Sequence, residues 1–600
     1  MNGENTRPVQ DEKGTSTILE RPERSLAGLS ATASTSDASS FADADRQGLS
    51  GELSRIENTL TVAARLLSKH SNAIVALWLC VVAASMVGFS RQKPLWADEV
   101  IFRWIATLPS VRDIWHALAL GLNTDPPLDH LLTHALTAIF GAGTLVVRLT
   151  SIGGICVMLL CLFLTLRKFV GPLYALLGLA LPFCTIIVDY GYEARPYALM
   201  YGCFALAIYC WVKAGEDGSH RIAWNVALGL SLAGALACHF YAVFALPAFY
   251  LAEAVRSQRQ RRVSWPTLGA ILGASATVLL YWPIIVGARQ YSSAYFEKPS
   301  LTSIPSMLEQ SLGQFVIPLF AFLAFVAIFA TLGVRFTRED KTEERIGFRE
   351  LTALGLGFLL VPVLAWAAGI VVLKAFTARY VFHGLLGVFL LLPLFAGRVF
   401  RQDRALGLAL LMACGLPALV FAVQGTKRVF KAPNHGQDLA RIEQALPKLS
   451  GDIVVSDPHL LLEMIGYSPA LKAKCIYLWD RKNESTYTGQ DGFSHFAGAG
   501  EQMGLFRSEP WSQYSNKDKA FLFLTTPNSQ SDGLGWLRAH LEAYHRYGDV
   551  VAKAGKYLIV EAKPGQEATL SSAPPSPDVS LDRGTSGLLP VAQQEKTTVH

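Results

Sequence analysis

The chain has 600 residues, of which 51% are hydrophobic and only 17% are charged, and its formal net charge is +6. Soluble globular domains carry about 25% charged residues, so this composition excludes an ordinary soluble protein. Apolar stretches of about 20 residues, long enough to cross a bilayer, recur through the middle of the chain and predict a polytopic membrane protein.

The two ends of the chain are polar. Residues 1–57 contain runs such as "ATASTSDASSFADAD" and have too little apolar content to fold, so we expect a disordered cytoplasmic tail. No apolar core follows a basic start, so this tail is not a signal peptide. Residues 564–600, which include "SSAPPSPDVS", are also expected to be disordered.

Between the tails, the apolar pattern predicts a mainly α-helical membrane domain over residues 58–428. The helix expected at about 127–141 is short and carries Asp129, His130 and His134, so it is interpreted as an interfacial or re-entrant segment. Eleven spans are predicted, at about 71–90, 144–166, 172–190, 196–212, 222–239, 241–255, 267–287, 314–334, 351–373, 380–397 and 405–423.

The positions of the basic residues support this count. Cytoplasmic loops carry an excess of Lys and Arg, and an N-terminus in the cytoplasm puts the basic clusters there if 127–141 does not span. These clusters are Arg167 with Lys168, Lys213 with Arg221, Arg256 to Arg262, Arg335 to Arg345, and Arg398 with Arg401 and Arg404. A twelfth span at 127–141 would put every later cluster outside.

Residues 429–563 have a different pattern. "GDIVVSDPHLLLEMIGYS" is typical of a strand, a turn and a helix. "KCIYLWD", "KAFLFLTT" and "KYLIVEA" are typical of strands, and "SDGLGWLRAHLEAYH" of a loop and a helix. The segment is predicted to be an extracytoplasmic α/β domain, and it contains no nucleotide-binding loop or metal-ligand motif.

Polar side chains collect in the predicted outer loops. They are Asp98, Glu99, Arg103, Asp125 and Asp129 in the first loop, then Tyr190, Tyr192, Glu193, Arg195 and Tyr197, then His239 and Tyr241, and finally Lys374, Arg379, Tyr380 and His383. Each has a simpler reading: Asp98 and Glu99 suit a helix N-terminus, Arg195 precedes a helix-starting proline, and the tyrosines suit an interfacial belt. Their convergence at one depth favours a site.

These residue types fit one chemistry. A carboxylate at the level of the lipid headgroups can act as general base for an acceptor hydroxyl. Arg and Lys side chains can hold a phosphate, and aromatic side chains suit sugar faces. We therefore expect a sugar-phosphate donor on a lipid, with Asp98 and Glu99 as the candidate catalytic acids.

The ordered motifs "LWADEVIFRWI", "TDPPLDHLL", "FGAGTLVVRLTS", "YGYEARPYAL" and "FTARYVFHGLLG" resemble those of the polyprenyl-phosphate-sugar-dependent GT-C glycosyltransferases. These are the family 39 relatives: protein mannosyltransferases, the lipid A aminoarabinose transferase and the RgtA/B/C/D-like bacterial enzymes. The resemblance covers about residues 70–400. It implies a GT-C helical bundle and an inverting transfer outside the cytoplasm.

The resemblance also implies roles for individual residues. Asp98 matches the family's catalytic Asp, and Glu99 matches the acid that commonly follows it. Donor-phosphate binding is expected from Arg103, Arg195, Lys374 and Arg379, and a substrate pocket from Asp125, Glu193, Tyr197, His239, Tyr241 and Tyr380. The chain departs from the aminoarabinose transferase at Arg195, where that enzyme has an acid, and at His239, where it has a lysine.

The expected partners are a polyprenyl-phosphate-linked sugar, membrane lipids and an extracytoplasmic acceptor, which is a lipid A or other envelope glycan or a protein. No cofactor, metal ion or nucleic acid is expected, and the expected location is a bacterial inner membrane with the site on the periplasmic side. Two alternatives stay open: a flippase for a lipid-linked sugar, and a non-catalytic membrane scaffold. A flippase would favour broken helices, midplane charges and repeated halves, and no clear repeat is seen.

Overall fold

The computed structural model of the chain describes residues 59–216, 218–289, 299–312, 347–373, 375–431, 437–445, 451–488, 492–515, 519–527 and 535–564. The predicted N-terminal tail lies outside these residues, as does all of the predicted C-terminal tail except residue 564. The predicted span at 314–334, the basic cluster Arg335 to Arg345 and the site candidate Lys374 also lie outside them.

The described part of the membrane domain is helical. Its α-helices are α1 Ser71–Gln92, α2 Ala97–Ala106, α3 Val111–Ala119, α4 Leu128–Phe140, α5 Leu149–Ala180, α6 Pro196–Ala214, α7 Arg221–Leu236, α8 Leu246–Gln260, α9 Trp265–Ala276, α10 Trp282–Arg289, α11 Ser303–Leu312, α12 Phe348–Leu359, α13 Val361–Ala368, α14 Leu385–Val399 and α15 Arg404–Val429. Short 3-10 segments adjoin several of these helices, at Val146–Arg148, Leu181–Cys184, Ile186–Tyr192, Phe240–Ala245, Thr277–Tyr281 and Ala378–Gly384, and a π-helical turn covers Gly369–Leu373.

Seven helical runs among the described residues are long and apolar enough to cross a membrane. They are Ser71–Gln92, Val146–Cys184, Pro196–Ala214, Trp265–Arg289, Phe348–Leu373, Ala378–Val399 and Arg404–Val429. Helix α4 has 13 residues and is therefore about 20 Å long, shorter than the roughly 30 Å hydrocarbon layer.

The predicted segments at 144–166 and 172–190 follow each other without a loop in the structure, and the helical conformation is broken between them at Gly171. Gly171 has φ +76°, a left-handed conformation that glycine adopts without strain, and Pro172 follows it. The side chain of Leu166 lies against Gly178. In a straight helix, twelve residues would separate these positions by about 18 Å. The chain therefore reverses direction at Gly171, and the two helical segments pack antiparallel.

Small residues let α5 and α6 pack closely. A Cβ atom added at Gly154 would lie 2.4 Å from the backbone oxygen of Ala198, and one at Gly202 would lie 2.6 Å from that of Gly154. Backbone contact of this kind is a usual way for helices to associate in lipid. Fully buried Tyr197, Tyr201 and Phe204 of α6 continue the core on either side of this contact.

The basic loops converge at one end of the bundle. Lys168 and Lys213 both pair with Glu216 (2.7 Å each), Arg256 donates a hydrogen bond to the backbone oxygen of Trp211 (3.0 Å), and Arg259 pairs with Glu350. The start of α2 lies near the end of α1 and the beginning of α5, whereas Lys168 lies near the start of α1 and the reversal of α5. The acidic first loop and these basic clusters therefore occupy opposite ends of the bundle.

The C-terminal region contains a six-stranded sheet with strand order β3-β2-β1-β4-β6-β5. The strands are β1 Ile453–Val455, β2 Cys475–Trp479, β3 Arg507–Pro510, β4 Phe521–Thr525, β5 Val550–Ala554 and β6 Tyr557–Ala562. The first four are parallel neighbours, and β6 joins them antiparallel through β4, with Phe523 opposite Val560. The strands predicted from "DIVV", "KCIYLWD", "KAFLFLTT" and "KYLIVEA" are present, and so is the expected class of a helical membrane bundle with a C-terminal α/β domain.

The helices of this region are α16 Gln437–Ala445, α17 Pro458–Tyr467, α18 Pro469–Lys474, α19 Arg481–Thr488, α20 Gly492–Gln502, α21 Trp511–Tyr514 and α22 Trp536–Ala543. Alternate strand residues point to two cores. The core with α22 contains Val454, Ile476 and Phe523. The other core contains Val455, Tyr477 and α17, and it continues into α2 and α3 of the membrane domain through Val100, Ile105 and Ile114.

Candidate active site

Asp98 lies in the first turn of α2 and is the accessible carboxylate of the acidic pair. The helix begins after Trp96, and its N-terminal dipole favours negative charge at this position. Asp98 forms an ion pair with Arg195, and its side chain is 28% exposed. It is therefore held in place and still open to a substrate.

Arg195 is positioned by the start of α6. It has an extended backbone directly before Pro196, which occupies the first helical position. Its guanidinium pairs with Asp98 through one nitrogen, and another donates a hydrogen bond to the hydroxyl of Tyr197 (3.0 Å). The guanidinium also lies 5.3 Å from the ring centre of Trp96. The side chain is 8% exposed, which leaves little freedom to leave Asp98.

The electrostatics favour the ionised form of Asp98. Burial by itself would raise the pKa of this carboxyl group, but the positive charges of Arg195, Arg379 and His459 outweigh that effect and lower its pKa below the ordinary value. The carboxylate is thus ionised near neutral pH, the state in which it accepts a proton.

Asp125 and His239 form a second pair beside this carboxylate. Nε2 of His239 lies 3.7 Å from Oδ1 of Asp125, and Nδ1 of the same ring accepts a hydrogen bond from the backbone N–H of Tyr241 (3.1 Å). An accepting Nδ1 means that the neutral ring carries its proton on Nε2, toward Asp125. Burial raises the pKa of Asp125 to about 6, and the negative charge of Asp98 adds to the rise.

The predicted aromatic residues assemble around His239. Its ring centre lies 5.4 Å from that of Tyr197, 5.7 Å from that of Tyr241 and 4.7 Å from that of Tyr380. The hydroxyl of Tyr241 donates to the backbone oxygen of Ala375 (3.1 Å). Arg379 lies 5.6 Å from the ring centre of Tyr380 and contributes positive charge to Asp98. Three distant segments thus build one wall of aromatic and cationic groups.

Glu99 lies in a different environment from its neighbour. Its side chain is fully buried and accepts two hydrogen bonds from Arg148, at 2.8 and 2.6 Å, and one from the backbone N–H of Ala194 (2.6 Å). Arg148 also donates to the backbone oxygens of Ser90, Lys93 and Pro94. Glu99 therefore joins α2 to three other segments and presents no open face to a substrate.

Two further predicted residues have partners other than Asp98. Glu193 pairs with Lys93. Arg103 donates a hydrogen bond to the backbone oxygen of Gly466 in the C-terminal region (2.9 Å). Lys374 lies outside the described residues. Within the parts of the chain that the structure describes, no group of three or more His, Cys, Asp or Glu side chains could hold a metal ion.

Sequence reasoning did not single out Arg148, Lys93 or His459. Arg148 belongs to the quoted motif "FGAGTLVVRLTS" and stands at the start of a predicted apolar span, where an arginine is costly unless it is paired. That position was the available signal for Arg148. His459 follows Asp-Pro in a separate region, and nothing in the pattern relates it to the first loop.

One family model matches the central part of the chain. The sequence model for dolichyl-phosphate-mannose-protein mannosyltransferases matches residues 124–282. This range includes Asp125, Arg195, Tyr197, His239 and Tyr241, whereas Asp98 precedes it. No curated protein matches the chain significantly.

Two solved structures align with most of the chain at low identity. ArnT from Cupriavidus metallidurans bound to undecaprenyl phosphate aligns with 15% identity and a TM-score of 0.44, over 82% of this chain and 99% of that chain. The Archaeoglobus fulgidus oligosaccharyltransferase tethered with an acceptor peptide aligns with 12% identity and a TM-score of 0.36, over 83% of this chain and 74% of that chain. The resemblance to GT-C glycosyltransferases, predicted from the motifs, is confirmed by the family match over the residues that supply much of the candidate site.

Proposed function

We propose that this protein is a membrane glycosyltransferase that moves a sugar from a polyprenyl-phosphate donor to an extracytoplasmic acceptor, with inversion at the anomeric carbon. We further propose that it acts in a bacterial inner membrane, with the site on the periplasmic side. The observation that carries the proposal is the pair of Asp98 and Arg195 at the end of the bundle opposite the basic loops, with Asp98 partly exposed.

In the proposed step, the Asp98 carboxylate accepts the proton of an acceptor hydroxyl. The hydroxyl oxygen attacks the anomeric carbon of the donor sugar as the bond from that carbon to the phosphate oxygen breaks. The phosphate oxygen keeps the bonding electrons, and polyprenyl phosphate leaves. Arg195 and Arg379 provide the positive charge beside Asp98, and stabilisation of the developing phosphate charge is their proposed contribution.

The remaining site residues have supporting proposals. Tyr197, Tyr241 and Tyr380 surround His239 and are proposed to line the sugar pocket with Asp125. Glu99 is proposed to support α2 through Arg148, in place of a direct role in proton transfer. Arg103 and Glu193 are proposed to hold neighbouring segments, through Gly466 and Lys93 respectively.

The test compares Asp98→Asn with Asp113→Asn, a matched change in the same predicted outer loop. Asp113 accepts a hydrogen bond from Ser110 (2.7 Å) at the start of α3, and we assign it no part in transfer. Each variant is expressed in cells that lack the gene, and envelope glycans are compared by mass spectrometry. We expect Asp98→Asn to remove the added sugar while the protein stays folded, and Asp113→Asn to keep it.

Full transfer by folded Asp98→Asn would overturn the assignment of the base.

An assay in proteoliposomes distinguishes a glycosyltransferase from a flippase. Labelled undecaprenyl-phosphate sugar should be converted to a glycosylated product when an envelope extract is supplied as acceptor. Movement of the labelled lipid between leaflets without any product, in vesicles with active protein, would instead favour the flippase.

A further inference from the structure

The C-terminal region packs directly on the helix that carries Asp98. Arg103 of α2 donates to the backbone oxygen of Gly466 in α17 (2.9 Å), and a Cβ atom at Gly466 would lie 2.7 Å from a methyl group of Val100. Ala97 and Val100 of α2 share one buried core with Leu461 and Met464 of α17. This contact is close enough that the position of α17 determines what faces the start of α2.

His459 lies on the face of α17 that meets α2. It precedes Gly466 by seven residues, which is about two helical turns and returns to the same face. The first turn is fixed by Asp457, whose carboxylate accepts hydrogen bonds from the backbone N–H groups of His459 (2.8 Å) and Leu460 (3.3 Å). The ring centre of His459 lies 5.9 Å from that of Phe493, which limits its rotation.

The packing of α17 on α2 brings the first turn of α17, which carries His459, toward the start of α2, which carries Asp98. We infer that His459 is a positioning residue of the transfer site: from the C-terminal region, it places a positive charge beside the Asp98 carboxylate. This inference rests on the proposed function, and it gives the C-terminal domain a part in the reaction beyond covering the bundle.

The groups around His459 favour its positive form. Burial alone would lower its pKa, but its neighbours are the acids Asp457, whose Oδ1 lies 3.7 Å from Nδ1 of the ring, Asp98 and Glu463, and their combined effect raises its pKa above the ordinary value. Asp98 in turn faces Arg195, Arg379 and Asp125. Among the residues that the structure describes, His459 joins Arg195 and Arg379 as a positive group near Asp98, and it comes from the C-terminal region.

The experiment measures the pH dependence of kcat/KM for His459→Asn and for the control His545→Asn. His545 is exposed, follows α22 on the opposite face of the sheet and has φ +55°, a conformation that asparagine tolerates. Loss of the His459 charge should raise the pKa of Asp98, so the acid limb of the His459→Asn profile should move to higher pH. The His545→Asn profile should match that of the wild type.

The position of the acid limb of the kcat/KM profile distinguishes a positioning role of His459 from a purely structural one. His459→Lys keeps the charge and should return the limb toward its wild-type position, whereas a structural loss would lower kcat/KM equally at every pH. An unmoved acid limb in folded His459→Asn overturns the inference. If this variant loses the folded peak in size-exclusion chromatography, His459→Gln serves as a second neutral replacement.

The two proposals fail in different ways. Transfer that survives Asp98→Asn contradicts the proposed base, whatever His459 does. Transfer that needs Asp98 but has the same acid limb with and without the His459 charge contradicts the inference about His459 alone.

Discussion

Asp98 and Glu99 are neighbours in sequence, but their surroundings divide their roles. Asp98 is partly exposed and pairs with Arg195, whereas Glu99 is fully buried and accepts two hydrogen bonds from Arg148. Consecutive positions on a helix point about 100° apart, so the Asp98 side chain is left partly exposed and the Glu99 side chain turns to the packed interior.

Arg195→Lys should reduce kcat/KM by about 10- to 100-fold, because one ammonium group cannot hold both Asp98 and the Tyr197 hydroxyl as the guanidinium fork does. A charged hydrogen bond is worth about 1.5–3 kcal/mol, which corresponds to this range. Steady-state transfer kinetics measure the effect. Arg167→Lys is the control, since Arg167 is at the basic end and contacts Asn72. Unchanged kinetics for Arg195→Lys would show that the fork is dispensable.

At the scale of elements, the pair of Glu99 and Arg148 joins four segments. It connects the first turn of α2, the end of α1, the start of α5 and the backbone at Ala194. All of these bonds are buried, where an unpaired charge is far more costly than at a surface. The pair thus sets the position from which α2 presents Asp98.

Glu99→Gln should destabilise the protein by about 3–5 kcal/mol, because it leaves the buried Arg148 without its counter-charge. Thermal unfolding in detergent, followed by tryptophan fluorescence, measures the loss. The matched control is Glu216→Gln, since Glu216 pairs with Lys168 and Lys213 at a partly exposed position, and pairs accessible to solvent contribute about 0–1 kcal/mol. Equal shifts in melting temperature for the two variants would contradict the anchoring role.

At the scale of the whole molecule, the charges divide between two ends. The carboxylates of the first loop and the C-terminal domain are at one end, and the pairs of Lys168, Lys213 and Arg259 are at the other. The excess of positive charge in cytoplasmic loops predicts the orientation of the molecule in the membrane. The site should then face away from the cytoplasm.

Cysteine labelling tests this orientation. A membrane-impermeant maleimide should label Arg112→Cys on intact spheroplasts and should label Gln258→Cys only after permeabilisation, with labelling of the native cysteines subtracted. Arg112 and Gln258 are both exposed, at the acidic and basic ends respectively. The reverse pattern would put the site in the cytoplasm and remove the periplasmic part of the proposal.

The sequence by itself determined the class of protein, many of its helices, four of the six strands and the family resemblance. Apolar length, strand composition and motif order are local properties, so "LWADEV", "YGYEARPYAL" and "KYLIVEA" carry them without the fold. Because each motif is local, the sequence predicts Asp98 and Arg195 as site residues without predicting their contact.

The tertiary structure decided which of these residues meet. Whether Glu99 is open or buried depends on Arg148, 49 positions away, and the approach of His459 to α2 depends on how the C-terminal α/β region packs on Val100 and Arg103. A local pattern contains no information about such pairings, because ion pairs and buried cores form between segments that only the folded chain brings together. Burial and neighbouring charge, which set the chemistry of Asp98, therefore come from the fold.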